Sequence, residues 1–207
     1  MAARTQEKYQ VRFAWGNAGA DRIVHGTHLV VWVDVLPDRA PTAAGHQGRG
    51  DDHVARARAA AALLPDGPEV VLGHLGNAAA VAERVTSLQA ERGDRCVVAV
   101  VAAGRTADGA ATVADAAGEP SDVETPEPAV EDLLAAGAAV DALVTVGIDH
   151  TSPEAAVACA AYTGLRRAVR HLVSAGEGAT DLDRETVHAA LAAGPELVVL
   201  RESGVRA

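Results

Sequence analysis

A single carboxylate, Asp34, interrupts the apolar run at residues 29–36 and is the first candidate for chemistry in this chain. A β-branched run of this kind predicts a strand buried on both faces, as in parallel sheets. A buried, unpaired charge is costly, so we expect Asp34 to lie at the strand end or to have a partner. Because ligands of open α/β sheets bind at the carboxyl ends of strands, metal binding is the function predicted for Asp34. Capping of a neighbouring element is the alternative.

The elements that must position Asp34 alternate between strands and helices, which favours an α/β layered domain. The predicted strands cover residues 9–15, 29–36, 69–72, 96–102 and 196–200. The predicted helices cover residues 54–64, 77–92, 130–144, 151–174 and 183–192. Two aperiodic segments rich in Gly, Pro and Asp predict flexible loops near residues 37–53 and 105–128.

Composition narrows the class of protein. The net charge of −10 and the pI near 5.2 weigh against nucleic-acid binding. Lys8 is the only lysine, which excludes a P-loop lysine in the body of the domain. Cys96 and Cys159 lie in apolar settings that indicate core residues rather than a disulfide framework or a zinc site. We find no signal peptide and no segment long enough to span a bilayer, so we expect a cytoplasmic protein without a membrane partner.

Four short segments carry a resemblance to a known family. Trp-Val-Asp-Val-Leu at 32–36, Leu-Gly-Asn-Ala-Ala-Ala-Val-Ala at 75–82, Ala-Ala-Gly at 102–104 and Val-Glu-Asp-Leu-Leu-Ala-Ala-Gly-Ala at 130–138 occur in that order. Together they resemble the 2-phosphosulfolactate phosphatase (ComB-like) family, of which the chain looks like a shortened and divergent member. The resemblance implies one three-layer α/β/α domain over residues 1–207, with a largely parallel or mixed sheet. It also implies Mg²⁺-dependent hydrolysis of a small phosphate monoester.

The same resemblance implies a set of metal ligands. Asp34 matches the family's strand-end aspartate, and Glu131 and Asp132 match its Glu-Asp pair. These three carboxylates are the hard oxygen ligands that Mg²⁺ prefers, provided that their elements converge. The alternative for Glu131 and Asp132 is stabilisation of a helix start, where negative charge complements the helix dipole.

Substrate-binding residues are implied in the same way. Gly76 and Asn77 open the helix after the short strand, where backbone N–H groups could hold a phosphate. Gly104 matches a family glycine, and Arg105 stands where the family has Glu. Asp34 and Arg39 are the implied catalytic residues, and Arg39 or Arg105 could neutralise developing charge through a bidentate interaction with the phosphate. Plain helix capping by Asn77 and a solvated surface position for Arg105 are the alternatives.

Three functions compete on this sequence. The first is a phosphatase acting on a small anionic phosphate ester, without nucleic acid and with a homo-oligomer as an open possibility. The second is a catalytically inactive relative that acts as a scaffold or small-anion binder, because Arg105 replaces the expected Glu and the chain is short between Asp34 and Asn77. The third, nucleotide binding at Gly73–Asn77, is weak because the segment has Gly-x-x-Gly but not Gly-x-Gly-x-x-Gly.

Overall fold

The computed structural model describes residues 6–37, 49–105 and 126–204 of the 207-residue chain. In these ranges a five-stranded mixed sheet is covered by seven α-helices and one short 3₁₀ helix at Glu177–Ala179. The strands are β1 (Val11–Trp15), β2 (Leu29–Val33), β3 (Glu69–Gly73), β4 (Val98–Ala102) and β5 (Val198–Arg201). The helices are α1 (Gly16–Ile23), α2 (Arg49–Ala62), α3 (Ala78–Arg92), α4 (Val130–Thr145), α5 (Pro153–Leu165), α6 (Val169–Ala175) and α7 (Arg184–Leu191).

The sheet has the strand order β1-β4-β2-β3-β5. The first four strands are parallel, and β5 is an antiparallel edge strand paired with β3. Val31 at the centre of β2 is paired with Val71 of β3 and Val100 of β4, and all three side chains are fully buried. Burial of such a side chain contributes about 1.5 to 3 kcal/mol, which explains why β-branched residues fill these strands.

Helices cover both faces of the sheet and give three α/β/α layers. On one face Val30 and Trp32 pack with Ala57 and Ala61 of α2, and α1 covers the same side. On the other face the alternate β2 residues belong to a larger core that includes α3, α4 and the later helices. The predicted α/β class is confirmed, since two covered faces explain why the central strands are apolar at nearly every position.

Several predicted boundaries are wrong in detail. The last five residues of the loop predicted at 37–53 belong to α2, which begins at Arg49. The sequence of this helix is rich in Ala and Arg, both of which favour helix formation. The single helix predicted at 151–174 is two helices, because a turn at residues 166–168 redirects the chain so that Val169 and Val173 are buried.

Parts of the predicted loops lie outside the described residues, namely residues 38–48 and 106–125. Arg39, predicted as a catalytic residue, is among them. Within the ranges that the structure describes, none of the helices has the length and apolar character needed to cross a membrane.

Candidate functional site

A cavity of about 540 Å³ opens at the carboxyl ends of β2 and β3. The chain leaves β2 toward α2 on one face of the sheet and leaves β3 toward α3 on the other. Neighbouring strands whose connections diverge in this way leave a crevice, which is where open α/β sheets bind ligands. Among the described residues, the polar side chains that line the cavity are Asp34, His53, His74, Glu185, Thr186 and Glu196. Residues of α7 and Val198 of β5 supply much of its apolar wall.

Asp34 lies immediately after the last residue of β2, as the sequence predicts. Its backbone N–H donates to the carbonyl oxygen of Gly73 at 3.3 Å, which holds the strand end against β3. The side chain is about 20% exposed and lies in the cavity. Nε2 of His53, on α2, lies 3.3 Å from the Asp34 carbonyl oxygen and 4.0 Å from its Oδ1. The carboxylate therefore meets an imidazole at the mouth of the crevice.

His74 is the second imidazole in the cavity, in the turn after β3. Burial lowers the pKa of its side chain, the nearby His53 lowers it further, and Glu196 partly offsets the two. The sequence pattern does not indicate a site at His53 or His74. They belong to a loose group with His25, His28 and His46 in the first half of the chain, in which only His25 and His28 have a His-x-x-His spacing, a weak indication of metal binding.

Asn77 shapes the turn beneath the cavity. It is completely buried, and its Oδ1 accepts a hydrogen bond from the backbone N–H of His74 at 2.9 Å. Its Nδ2 donates to the carbonyl oxygens of Leu72 at 2.9 Å and Glu196 at 3.4 Å. The amide thus ties the end of β3 to the segment before β5. Asn77 occupies the N-cap position of α3 but makes no side-chain capping hydrogen bond, so simple capping does not explain it.

Gly76 fits the same turn for a steric reason. A Cβ at this position would collide with the carbonyl oxygen of Ala193. The close approach of these two backbone segments requires glycine. Gly76 and Asn77 therefore both help to build the cavity wall, and their predicted contact with substrate stays a prediction.

Asp132 joins the loops that follow β2 and β4. Its side chain is 3% exposed. Its Oδ1 accepts the backbone N–H of Val35 and its Oδ2 accepts the backbone N–H of Gly104, both at 2.9 Å. Gly104 has a left-handed φ of +72°, and a Cβ there would lie 2.7 Å from the Glu127 carbonyl oxygen. Asp132 therefore links the ends of β2 and β4 through one hydrogen bond from each of its carboxylate oxygens, an arrangement that we call the Asp132 clamp.

Glu131 points elsewhere, although it is the next residue along the chain. Its carboxylate lies against Gly178, and the side chain is 3% exposed. Among the described residues, no group is hydrogen-bonded to its Oε2. Burial raises the pKa of Glu131, and Arg105 partly counteracts this effect. Arg105 itself is engaged by carboxylates, at 2.9 Å from Glu127 and 3.0 Å from Glu177.

The predicted trio of Mg²⁺ ligands does not form one cluster. Over residues 6–37, 49–105 and 126–204, no three His, Cys, Asp or Glu side chains gather in a group that could hold a metal ion. Asp132 holds backbone N–H groups, Glu131 faces the 3₁₀ helix, and Asp34 alone of the three lines the cavity. A donor set with all three carboxylates on one ion therefore does not fit this structure.

Fold and geometry together define an α/β protein with a candidate small-molecule site at the carboxyl edge of its sheet. Comparison with models of known families gives no match, and no curated protein matches the chain significantly.

The burial of Glu131 predicts a pH dependence of stability. Its pKa in the folded state is raised above the ordinary value of 4.5, so the unfolded chain loses this proton first as pH rises. The contribution of Glu131 to the free energy of unfolding is fully present at pH values below its pKa in the unfolded chain. It is lost as the pH rises toward its pKa in the folded protein. We expect Glu131→Gln to add about 1 to 2 kcal/mol to the free energy of unfolding near neutral pH relative to wild type.

Urea denaturation at about pH 4 and about pH 7 measures this effect. Glu83→Gln, at an exposed position of α3, is the matched control for the replacement of a helical carboxylate by an amide. An equal effect of Glu131→Gln at both pH values would show that Glu131 ionises normally in the folded protein.

Proposed function

We propose that the protein hydrolyses a small phosphate monoester with Mg²⁺ in the cavity at the ends of β2 and β3. The observation that carries this proposal is the place of Asp34, a carboxylate at the end of a central parallel strand and in the wall of the cavity. The resemblance of the chain to the ComB-like phosphatases supports the same reaction. The proposed partner is accordingly a small anionic ester.

The proposed magnesium ion would be held loosely, through Asp34 alone among the three predicted carboxylates. Mg²⁺ is commonly bound by one or two carboxylates, with waters and substrate phosphate oxygens in its other positions. Asp34 would be the protein ligand, while Glu131 and Asp132 have the separate roles described above. When bound, the ion would supply neutralisation of charge on the transferring phosphoryl group.

Charge in the cavity gives a reason for a cation requirement. None of the described residues that line it is Arg or Lys, whereas Asp34, Glu185 and Glu196 carry carboxylates. A phosphate dianion entering this lining would meet like charge at close range. A divalent cation beside Asp34 would lower this repulsion.

Apolar residues form part of the cavity wall. Leu72 and Val198 from the sheet and Ala190 and Ala193 from the α7 side form apolar walls around the polar groups. The volume of about 540 Å³ is in the range of small-molecule sites.

Phosphate release from a panel of small phosphate monoesters tests the proposal. With purified protein and Mg²⁺ we expect turnover of at least one ester, and loss of turnover when EDTA removes the ion. Restoring Mg²⁺ in excess should restore the rate, which controls for damage by the chelator. Turnover that is unaffected by EDTA would contradict the role of the ion, and absence of turnover for every ester would contradict the reaction.

A catalytically inactive small-anion binder is the second candidate, and specific contacts favour it. Asn77, Asp132 and Arg105, all predicted as site residues, are engaged by other groups of the protein. This candidate predicts binding of inorganic phosphate in calorimetry without turnover of any ester. Catalytic release of phosphate would exclude it.

A further inference from the structure

The turn after β3 fixes the imidazole of His74 in one orientation. The backbone N–H of Gly76 donates to Nδ1 of His74 at 3.2 Å. The backbone N–H of His74 is itself held by Oδ1 of Asn77 at 2.9 Å, and Asn77 is completely buried. These two hydrogen bonds, one to the ring and one to the backbone of His74, therefore position a side chain that lines the cavity.

This geometry also determines the tautomer of His74. A ring nitrogen that accepts a hydrogen bond carries no proton, so Nδ1 is unprotonated and Nε2 carries the hydrogen. Among the described residues, none is hydrogen-bonded to Nε2. The ring therefore offers an N–H donor whose partner is not supplied by the described protein.

The surroundings disfavour protonation of the imidazole. Protonation of Nδ1 would break its hydrogen bond with Gly76. Burial lowers the pKa of His74, and the charge of His53 on α2 acts in the same direction. Glu196, before β5, acts in the opposite direction, while Asp34 and Glu185 contribute further negative charge to the same cavity.

We propose that His74 is a substrate-binding residue whose Nε2–H donates a hydrogen bond to a phosphate oxygen of the ester. This inference rests on the proposed function and adds a specific donor to it. A neutral N–H donor suits an anionic oxygen in a cavity where the other described polar side chains are largely acceptors. His74 acts as a fixed donor and exchanges no proton with the substrate.

Two variants separate a donor from a proton-transfer group. His74→Ala removes the donor, and we expect it to lower kcat/KM by about 10- to 100-fold. His74→Gln places an amide N–H near the position of Nε2, so it should recover most of the loss. The pH profile of kcat/KM should be the same for His74→Gln and wild type, because a fixed donor adds no ionisation to it.

His28 provides a matched control. Its Nδ1 accepts the backbone N–H of Val97 at 2.8 Å, and burial lowers its pKa, as for His74. It lines a different cavity, near the start of β3. His28→Gln should leave kcat/KM unchanged, which would show that loss of a partly buried imidazole is not sufficient to impair activity.

A measurement without turnover keeps this inference separate from the proposed function. Nitrogen-15 NMR of the histidines should show His74 as the Nε2–H tautomer, and inorganic phosphate with Mg²⁺ should shift its Nε2 resonance. If this shift occurs but no ester is hydrolysed, the proposed hydrolysis is wrong and the proposed hydrogen bond from His74 to phosphate is supported. An unchanged kcat/KM in His74→Ala, or a phosphate titration without a shift at Nε2, would overturn the proposal that His74 donates a hydrogen bond to phosphate. If one limb of the pH profile of kcat/KM disappears in His74→Gln, His74 transfers a proton instead of acting as a fixed donor.

Discussion

Replacing Asp132 by alanine should lower the free energy of unfolding by about 3 to 5 kcal/mol. The substitution removes two charge-assisted hydrogen bonds, from Val35 and Gly104, in a place that is almost fully buried. It also leaves both backbone N–H groups without their acceptor, and this desolvation cost adds to the lost attraction. The loops after β2 and β4 should separate, which also disturbs the cavity wall at Val35. Urea denaturation measures the loss.

Asp141→Ala is the control on the same helix. Asp141 forms an ion pair with Arg166 at the protein surface, so its replacement should cost less than about 1 kcal/mol. Asp132→Asn should be intermediate, because an amide retains one acceptor oxygen but presents an N–H group to the second donor. A cost below about 1 kcal/mol for Asp132→Ala would show that the clamp contributes little to stability.

The fold class and the position of Asp34 could be predicted from local pattern. Apolar, β-branched runs indicate strands covered on both faces, and the sheet has that arrangement. A lone carboxylate in such a run is compatible with burial only near its end, and β2 stops at Val33. These features are determined by residues that are close together in the sequence, so a local sequence pattern is enough to predict them.

The contacts of Asn77 and Asp132 could not be predicted in the same way. Asn77 reaches the carbonyl oxygen of Glu196, and Asp132 reaches the N–H of Val35, across more than 90 residues in each case. Such contacts depend on strand order, and the placement of β4 between β1 and β2 is not written in any local pattern. Acidic residues at a helix start, such as Glu131 and Asp132, are compatible with metal binding, with helix capping and with hydrogen bonds to backbone N–H groups of other loops. Their position in the sequence therefore does not distinguish these roles.

The place of His53 and His74 in the cavity could not be predicted for a related reason. Each lies in a different element, α2 and the turn after β3, and only the pairing of β2 with β3 brings both to the cavity. Glu196 and the α7 residues come from the end of the chain. Their part in the cavity depends on the antiparallel edge strand β5, whose direction the sequence did not specify.

Asp34→Asn should reduce Mg²⁺-dependent phosphate release by at least about 100-fold. Asparagine has nearly the shape of aspartate, so the packing at the end of β2 is preserved. It lacks the negative charge that binds a hard cation, and the cavity would then hold substrate without the ion beside it. Since a metal ion contributes several kcal/mol of transition-state stabilisation, the loss of rate should be large.

Asp66→Asn controls for the change in net charge. Asp66 is exposed and lines the second cavity, near the start of β3 and away from the candidate site. This variant should hydrolyse the ester at the wild-type rate. The melting temperatures of wild type and both variants, measured alongside, show whether each protein is folded at the temperature of the assay.

The initial rate of phosphate release at saturating Mg²⁺, compared between wild type and Asp34→Asn, tests the central claim most directly. We predict a wild-type rate that EDTA abolishes and an Asp34→Asn rate at least about 100-fold lower, with Asp66→Asn unchanged. A folded Asp34→Asn protein that releases phosphate as fast as wild type would contradict the assignment of this cavity as the site of the reaction.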